Sequence, residues 1–299
     1  MSIPDPRNRD IVVFVNGELV PRTEAKVSVF DSSVQGGDAV WEGLRVYNGR
    51  IAALDGHLQR LQNSAKALLF ESVPSTDEVR DAIFKTLAAN GMRDESHIRL
   101  TLTRGEKITS GMNPRLNQSG CCLIVLAEWK PPVYSDDGIR VITASTRRNT
   151  PQCLDSKIHH SNLLNNILAS IEANVAGADS AIMLDIDGFV SETNDTNLFI
   201  VHDREVLTPT ADSCLPGLTR QMILDICKEQ GIPAAERRLS MTEVYTADEV
   251  FTSGTMGELT PILEADGRVI GDGKPGDMTK RLQSLHREFA YEHGTPLPV

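Results

Sequence analysis

At 299 residues the chain is long enough to bury a sizeable core and to form two domains. Its formal net charge of -11, with the basic residues scattered, argues against a nucleic-acid surface, which needs clustered Lys and Arg to release counterions. No apolar run approaches the roughly 18 to 20 residues of a membrane span, and the opening MSIPDPRNRD lacks the apolar core of a signal peptide, so the expected compartment is the cytoplasm.

The first segment, IVVFVNGELVP, sets two short apolar runs around Asn16-Gly17, a dipeptide suited to the positive φ angles of a type I′ turn, and predicts a hairpin. A second hairpin is expected around Asn48-Gly49 in AVWEGLRVYNGRIAAL. Leu58, Leu61, Ala65, Leu68 and Leu69 then recur at helical spacing, and a second helix follows in PSTDEVRDAIFKTLAANG, where Ser75 and Glu78 form a capping box and Gly91 marks the stop. HIRLTLT and CCLIVLA read as strands, completing a sheet with two helices.

Pro131 and Pro132, followed by polar residues, place a linker at residues 129–137 between a small N-terminal α/β domain, 1–128, and a larger C-terminal domain, 138–299. In the latter a helix is expected from about Asn162 to Asn174, a hairpin turning at Asp187-Gly188, and a strand in TNLFIVH. PGLTRQMILDICKEQG opens another helix, Ser240 and Glu243 cap a shorter one, and a strand EVFTSG and a last helix follow. The fold class is α+β or mixed α/β in two domains. Five cysteines without a C-x-x-C pair predict buried free thiols, and no histidine spacing suggests a metal.

Lys157 is the one lysine in LDSKIHHSNLLNNILASIEA, at the end of a Pro-containing stretch and just before an apolar helix. Burial there would lower its pKa and free the amine to form an imine with a carbonyl compound or with pyridoxal phosphate. That cofactor also asks for a carboxylate at its ring nitrogen, donors for its phosphate and a cation or donors for the substrate carboxylate. Glu192 lies between strand-like runs, the amides of Leu218 and Thr219 open a helix after Pro-Gly, and FTSGT ends a strand in small residues, Ser253 to Thr255. Taken singly, each has an ordinary reading: a solvated lysine, a surface acid, a helix start, a turn. His159 and His160 are expected to pack or hydrogen-bond rather than act as bases. GDGKPGDMTK lacks the Lys-Ser or Lys-Thr of a phosphate-binding loop and reads as a turn before the last helix.

In order and spacing these segments resemble the class IV, fold-type-IV pyridoxal-phosphate aminotransferases, the group of branched-chain and D-amino acid aminotransferases. The resemblance runs over nearly the whole chain, from VFVNGELVP through EGLRVYNGRIAALDGHLQRL, GFVSETNDTNLFIV and CLPGLTRQMIL to FTSGTMGELTPI. It implies that pyridoxal 5'-phosphate is the cofactor, Lys157 its Schiff-base lysine and Glu192 the partner of its ring nitrogen. Arg60, Leu218, Thr219 and Thr255 would hold the phosphate, Asn197 would support the site, and Arg99, His97, Trp41, Thr255 and Met256 would meet the substrate.

The implied reaction is transamination between an apolar, branched-chain-like L-amino acid and a 2-oxo acid such as 2-oxoglutarate, in a homodimer or higher homo-oligomer. Some positions depart from the family. His97 stands where branched-chain enzymes have the tyrosine of Tyr-x-Arg, Trp41 where phenylalanine is common, and Gly36 or Gly37 where a tyrosine is expected; the helix after Lys157 has no tyrosine. The loop 104–114, with Gly111 and Met112, is closer to the branched-chain type than to the D-amino acid type. A D-amino acid or (R)-amine transaminase, an aminodeoxychorismate-lyase-like enzyme and a non-catalytic protein on the same fold are the alternatives.

Overall fold

The structure, a computed structural model, describes residues 5–298. Its contacts divide the chain into two compact units. One comprises the residues up to Pro131 together with Ile158–Asn162 and those from Ala290 onward; the other comprises Pro132–Lys157 and Leu163–Phe289.

In the first unit, β1 (Val12–Val15) and β2 (Glu18–Pro21) form the hairpin expected at Asn16-Gly17, both of which have positive φ. A short helix that the periodicity does not announce, α1 (Ser32–Gly36), is capped by the Asp31 carboxylate accepting from Ser33 N and ends at Gly37 with φ 66°. Then come β3 (Ala39–Tyr47), β4 (Arg50–Ile51), α2 (Leu54–Ala67), α3 (Thr76–Asn90), β5 (Ser96–Thr103) and β6 (Cys122–Trp129). The capping box of Ser75 and Glu78 opens α3, and Gly91, at φ 65°, closes it. The strands pair antiparallel throughout, β3 with β5 from Ala39↔Thr103 to Val46↔Ser96.

Strand alternation divides the residues of this sheet between two faces. Val40, Leu44, Ile98, Leu100, Leu102, Val125 and Ala127 join Leu54, Leu58 and Leu61 of α2 and Val79, Ile83 and Leu87 of α3 in one core. Trp41, Gly43, Arg45, His97, Arg99 and Thr101 take the opposite positions in the register. Glu42 breaks the pattern, because it shares its face with Val40 and Leu44 and is fully buried.

The second unit begins with β7 (Ile139–Thr143) and α4 (Leu164–Ala176), which starts two residues later than expected and stops at Gly177, φ 69°. β8 (Ser180–Leu184) and β9 (Val190–Thr193) make the expected hairpin, followed by β10 (Asn197–His202), β11 (Glu205–Thr208), α5 (Leu218–Glu229), β12 (Ala234–Glu236) and α6 (Met241–Tyr245). β13 (Glu249–Gly254), β14 (Glu258–Ala265), β15 (Arg268–Val269) and α7 (Asp277–Glu292) complete the order. Nine strands form one mixed sheet, β12-β11-β10-β13-β14-β7-β8-β9 with β15 beside β14. β14 carries Pro261 in its interior, a residue that argues against a strand when only sequence is read, and its pairing with β7 shifts register between Ile262 and Glu264. Phe199 and Phe251 stack at 5.0 Å between centroids, in a core with Ile223 and Ile226 of α5 and Leu282 of α7.

α4 faces the sheet with its small side, Ala169 and Ala173, against Ala181 and Met183. Its large residues point the other way: Leu164, Ile167, Leu168, Ile171 and Val175 are 50% to 85% exposed. Finally β16 (Thr295–Pro296) returns the chain to the first unit as an edge strand on β4.

The five cysteines are free, but the expectation that they are buried holds only for Cys214 and Cys227. Cys121 and Cys122 are half-buried, and Cys153 is exposed because it lies in the turn after Pro151 rather than in an element.

Candidate active site

Lys157 sits in an irregular loop between β7 and α4. The burial expected for it is not found: its side chain is 45% exposed, because it leaves the loop before α4 begins. Nζ donates to the Asp212 carbonyl at 3.2 Å and lies 3.6 Å from the Asp155 carboxylate, whose Oδ1 also accepts from the Lys157 backbone N–H.

Glu192 points from β9 into a dry environment, its side chain 6% exposed. Arg148, in the loop after β7, donates its Nε to Oε1 at 2.5 Å, and Asn197, the first residue of β10, donates Nδ2 to Oε2 at 3.1 Å. The Leu215 amide adds a longer bond of 3.4 Å to Oε1. Burial pushes the Glu192 carboxyl up from its ordinary value, and Arg148 pulls against it. A carboxylate so placed is an acceptor for an N–H on a buried ring. The loop after β11 connects the two groups: Asp212 takes the Lys157 bond, while Leu215 contacts Glu192 through its N–H and Asn197 through its carbonyl at 2.9 Å.

The same loop delivers Gly217, the N-cap of α5. It offers no side-chain acceptor to the first turn, so the amides of Leu218 and Thr219 open the helix without a side-chain cap, where the helix dipole favours an anion. Glycine is required at 217, since a Cβ there would lie 2.0 Å from Asn197 Oδ1. Ser253 pairs directly with Asn197 across β13 and β10, and its buried hydroxyl has no hydrogen-bond partner among the described residues, like that of Thr252. Thr255 and Met256 follow in the turn to β14. The α5 N-terminus and the end of β13 therefore both adjoin Asn197. Open amides and the unpaired Ser253 hydroxyl there, a buried carboxylate and an accessible amine form a set of groups that fits pyridoxal phosphate.

Arg60, Arg99, His97 and Trp41 belong to the first unit. Arg60, on α2, grips Glu42 with Nε at 2.8 Å and Nη2 at 2.7 Å. The Arg99 guanidinium lies 3.5 Å from the Trp41 ring centroid, and burial lowers its pKa to about 10. His97 is two residues away on the same face; burial, then the charges of Lys130, Arg45 and Arg99, push it down to about 3, and its Nε2 has no partner among the described residues. The Trp41 indole N–H donates to the His160 carbonyl at 3.1 Å, and its ring is 4.1 Å from that of His159. His159 does hydrogen-bond, through Nδ1 to Glu42, and burial lowers it to about 4.

Sequence reasoning misses Arg148 and Glu42. Nothing local marks Arg148, whose partner is 44 residues away. Glu42 does leave a signal, an acid in phase with Val40 and Leu44 on an alternating strand.

The class IV aminotransferase family model matches residues 39–265, and the chain belongs to that family. It is 59% identical over its full length to a branched-chain-amino-acid aminotransferase-like protein of Arabidopsis thaliana, of which it spans 54%. It thus spans about half the length of the two plant proteins it matches. The branched-chain-amino-acid aminotransferase of Pseudomonas aeruginosa is 35% identical, with 96% of this chain and 94% of that protein covered. Among solved structures, the branched-chain amino acid aminotransferase of Escherichia coli superposes with TM-score 0.88 at 32% identity, covering 96% of this chain and 95% of that one. The enzyme of Thermobaculum terrenum, solved in its PLP form, gives 0.87 at 26%, covering 98% of this chain and 100% of that one. These neighbours share the mixed, fold-type-IV architecture that the sequence predicts.

Proposed function

We propose that the chain is a pyridoxal-phosphate-dependent aminotransferase that exchanges the amino group of an apolar, branched-chain-like L-amino acid with a 2-oxo acid such as 2-oxoglutarate. The observation that carries this reading is the assembly, around one loop, of the Lys157 amine, the buried Glu192 carboxylate and the open N-terminus of α5. When bound, the cofactor supplies an aldehyde carbon to take up the amino group and a ring to delocalise the electron pair left on the substrate α-carbon.

Lys157 Nζ would anchor the cofactor and, as a free amine, would take the proton from the substrate α-carbon and deliver it to the cofactor's aldehyde carbon, so that the amino group stays behind when the 2-oxo acid leaves. Glu192, held by Arg148 and Asn197, accepts from the protonated ring nitrogen. The amides of Leu218 and Thr219, with Thr255 and Arg60, hold the phosphate. Arg99 and His97 bind substrate carboxylate, while Trp41, Thr255 and Met256 shape the pocket. We assign residues 1–128 and 138–299 to two domains joined by 129–137, with Ile158–Asn162 and the residues from Ala290 onward packing into the first of them. The exposed apolar stripe of α4 supports a homodimer, because a monomer leaves five large apolar side chains on one helix in water. Among the described residues no helix is long and apolar enough to cross a membrane, and a cytoplasmic site of action is proposed.

The test is the absorption spectrum of the protein with pyridoxal phosphate before and after L-leucine. A visible band that bleaches with release of the 2-oxo acid supports the assignment. A band unchanged by L-leucine but bleached by D-alanine or (R)-1-phenylethylamine moves it to the other amine donors, and Lys157→Ala should fold yet take up no cofactor on borohydride treatment.

A further inference from the structure

Glu42 is a charge in an apolar layer. It lies on the core face of β3, opposite Leu100 of β5, with its side chain fully buried. Oε1 accepts from Arg60 Nε at 2.8 Å and His159 Nδ1 at 3.2 Å, and Oε2 from Arg60 Nη2 and His57 Nδ1, both at 2.7 Å. Burial would raise this carboxyl, but His159 and the bonds from Arg60 and His57 hold it well below its ordinary value. A buried ion pair is weak evidence for stability, since apolar residues of similar volume often serve a core equally well, so packing alone does not account for Glu42.

The geometry has two consequences. A carboxylate that grips Nε and Nη2 together fixes the plane of the guanidinium, not merely its position. The second concerns the segment Ile158–Asn162, which begins directly after Lys157. It is laced to β3 and α2 by Trp41 N to His159 O at 2.9 Å, Ser161 N to Ala39 O at 2.8 Å and His159 N to Ser64 Oγ at 3.1 Å. The His159 ring, donating to Glu42, ties this strap to the same carboxylate.

We propose that Glu42 is the positioning residue of the cofactor site: it sets the plane of Arg60 for the cofactor phosphate. This rests on the reading of Arg60 as a phosphate ligand. Glu42 acts through Arg60, which it grips at Nε and Nη2.

The experiment compares pyridoxal phosphate with pyridoxal, which lacks the phosphate, in equilibrium dialysis against apoprotein of wild type, Glu42→Gln, Glu42→Asp and Arg60→Gln. Glu42→Gln keeps the volume and removes the charge; Glu42→Asp keeps the charge and withdraws it by one methylene. Each should weaken pyridoxal phosphate by about tenfold or more and pyridoxal by less than about twofold, as for a lost hydrogen bond to a charged ligand. Adding Glu42→Gln to Arg60→Gln should bring little further loss, since the two act as a unit. Circular-dichroism melts of each apoprotein establish folding. Equal weakening of both aldehydes, or none in a folded variant, overturns the role of Glu42, and if Glu42→Gln does not fold, Glu42→Asp decides by the same criteria. A folded wild type that binds neither aldehyde overturns the reading of the site itself, and the proposal with it.

Discussion

Replacing Arg148 by methionine tests the electrostatics of the candidate site. Arg148 and Glu192 are 7% and 6% exposed, so neither is well solvated, and removing one leaves the other buried without its cation. Breaking such a pair costs roughly 3 to 5 kcal/mol. For a unit of this size that is a fall in melting temperature of about 6 to 20 °C. The sign of the pH dependence follows from Glu192. Burial already raises its carboxyl, and without Arg148 it rises further, so the folded variant holds a proton more tightly than the unfolded chain. Stability from that proton is complete below the unfolded value and is lost as pH rises through the folded one, so the deficit of Arg148→Met should be smaller near about pH 5 than about pH 8. Urea unfolding should be followed by far-UV circular dichroism, because both tryptophans, Trp41 and Trp129, belong to the other unit. A loss below about 1 kcal/mol, or one that is the same at both pH values, would refute the reasoning.

Gly217→Ala puts a methyl 2.0 Å from Asn197 Oδ1 and should cost about 1 to 3 kcal/mol while weakening retention of pyridoxal phosphate in dialysis. Ile167→Lys with Ile171→Lys, at side chains each 50% exposed, should convert a dimer to a monomer in light scattering and leave the fold intact by circular dichroism. Ser75→Ala removes half of the capping box of α3 and should lower stability by about 1 kcal/mol in urea titration. Burial holds His97, His159 and His286 neutral, at about 3, 4 and 4, so the unfolded chain takes up their protons first and stability falls as pH drops below about 6.5. His286→Gln should flatten that acid limb by about one proton, roughly 1.4 kcal/mol per pH unit; an unchanged slope would show that His286 does not contribute.

What is legible in the sequence is local. The turns at Asn16-Gly17 and Asp187-Gly188, the boxes at Ser75 and Ser240 and the stop at Gly91 are each decided by neighbouring residues. α4 is recognisable as a helix, but the usual rule that large apolar residues face the core fails there, because alanines pack the sheet and the isoleucines face out. β14 escapes a reading of the sequence because Pro261 looks like a breaker, whereas β7 pairs with β14 only from Ile262 onward, so the proline has a ladder partner on the β13 side alone. The groups gathered around Asn197 can be named one by one, but not the cation that restrains Glu192, since no periodicity links residues 148 and 192.

The chain threads back and forth between its units, and this bears on how it is made. Ribosomes release sequence in order, and early domains commonly fold while later ones are still being synthesised. Here the strap Ile158–Asn162 and the edge strand β16 complete the first unit, so it waits for residues from the middle of the chain and then for Thr295–Pro296. Until the last of these emerges, β4 presents an unpaired backbone edge, the kind of surface that nascent chains join to one another and that chaperones shield.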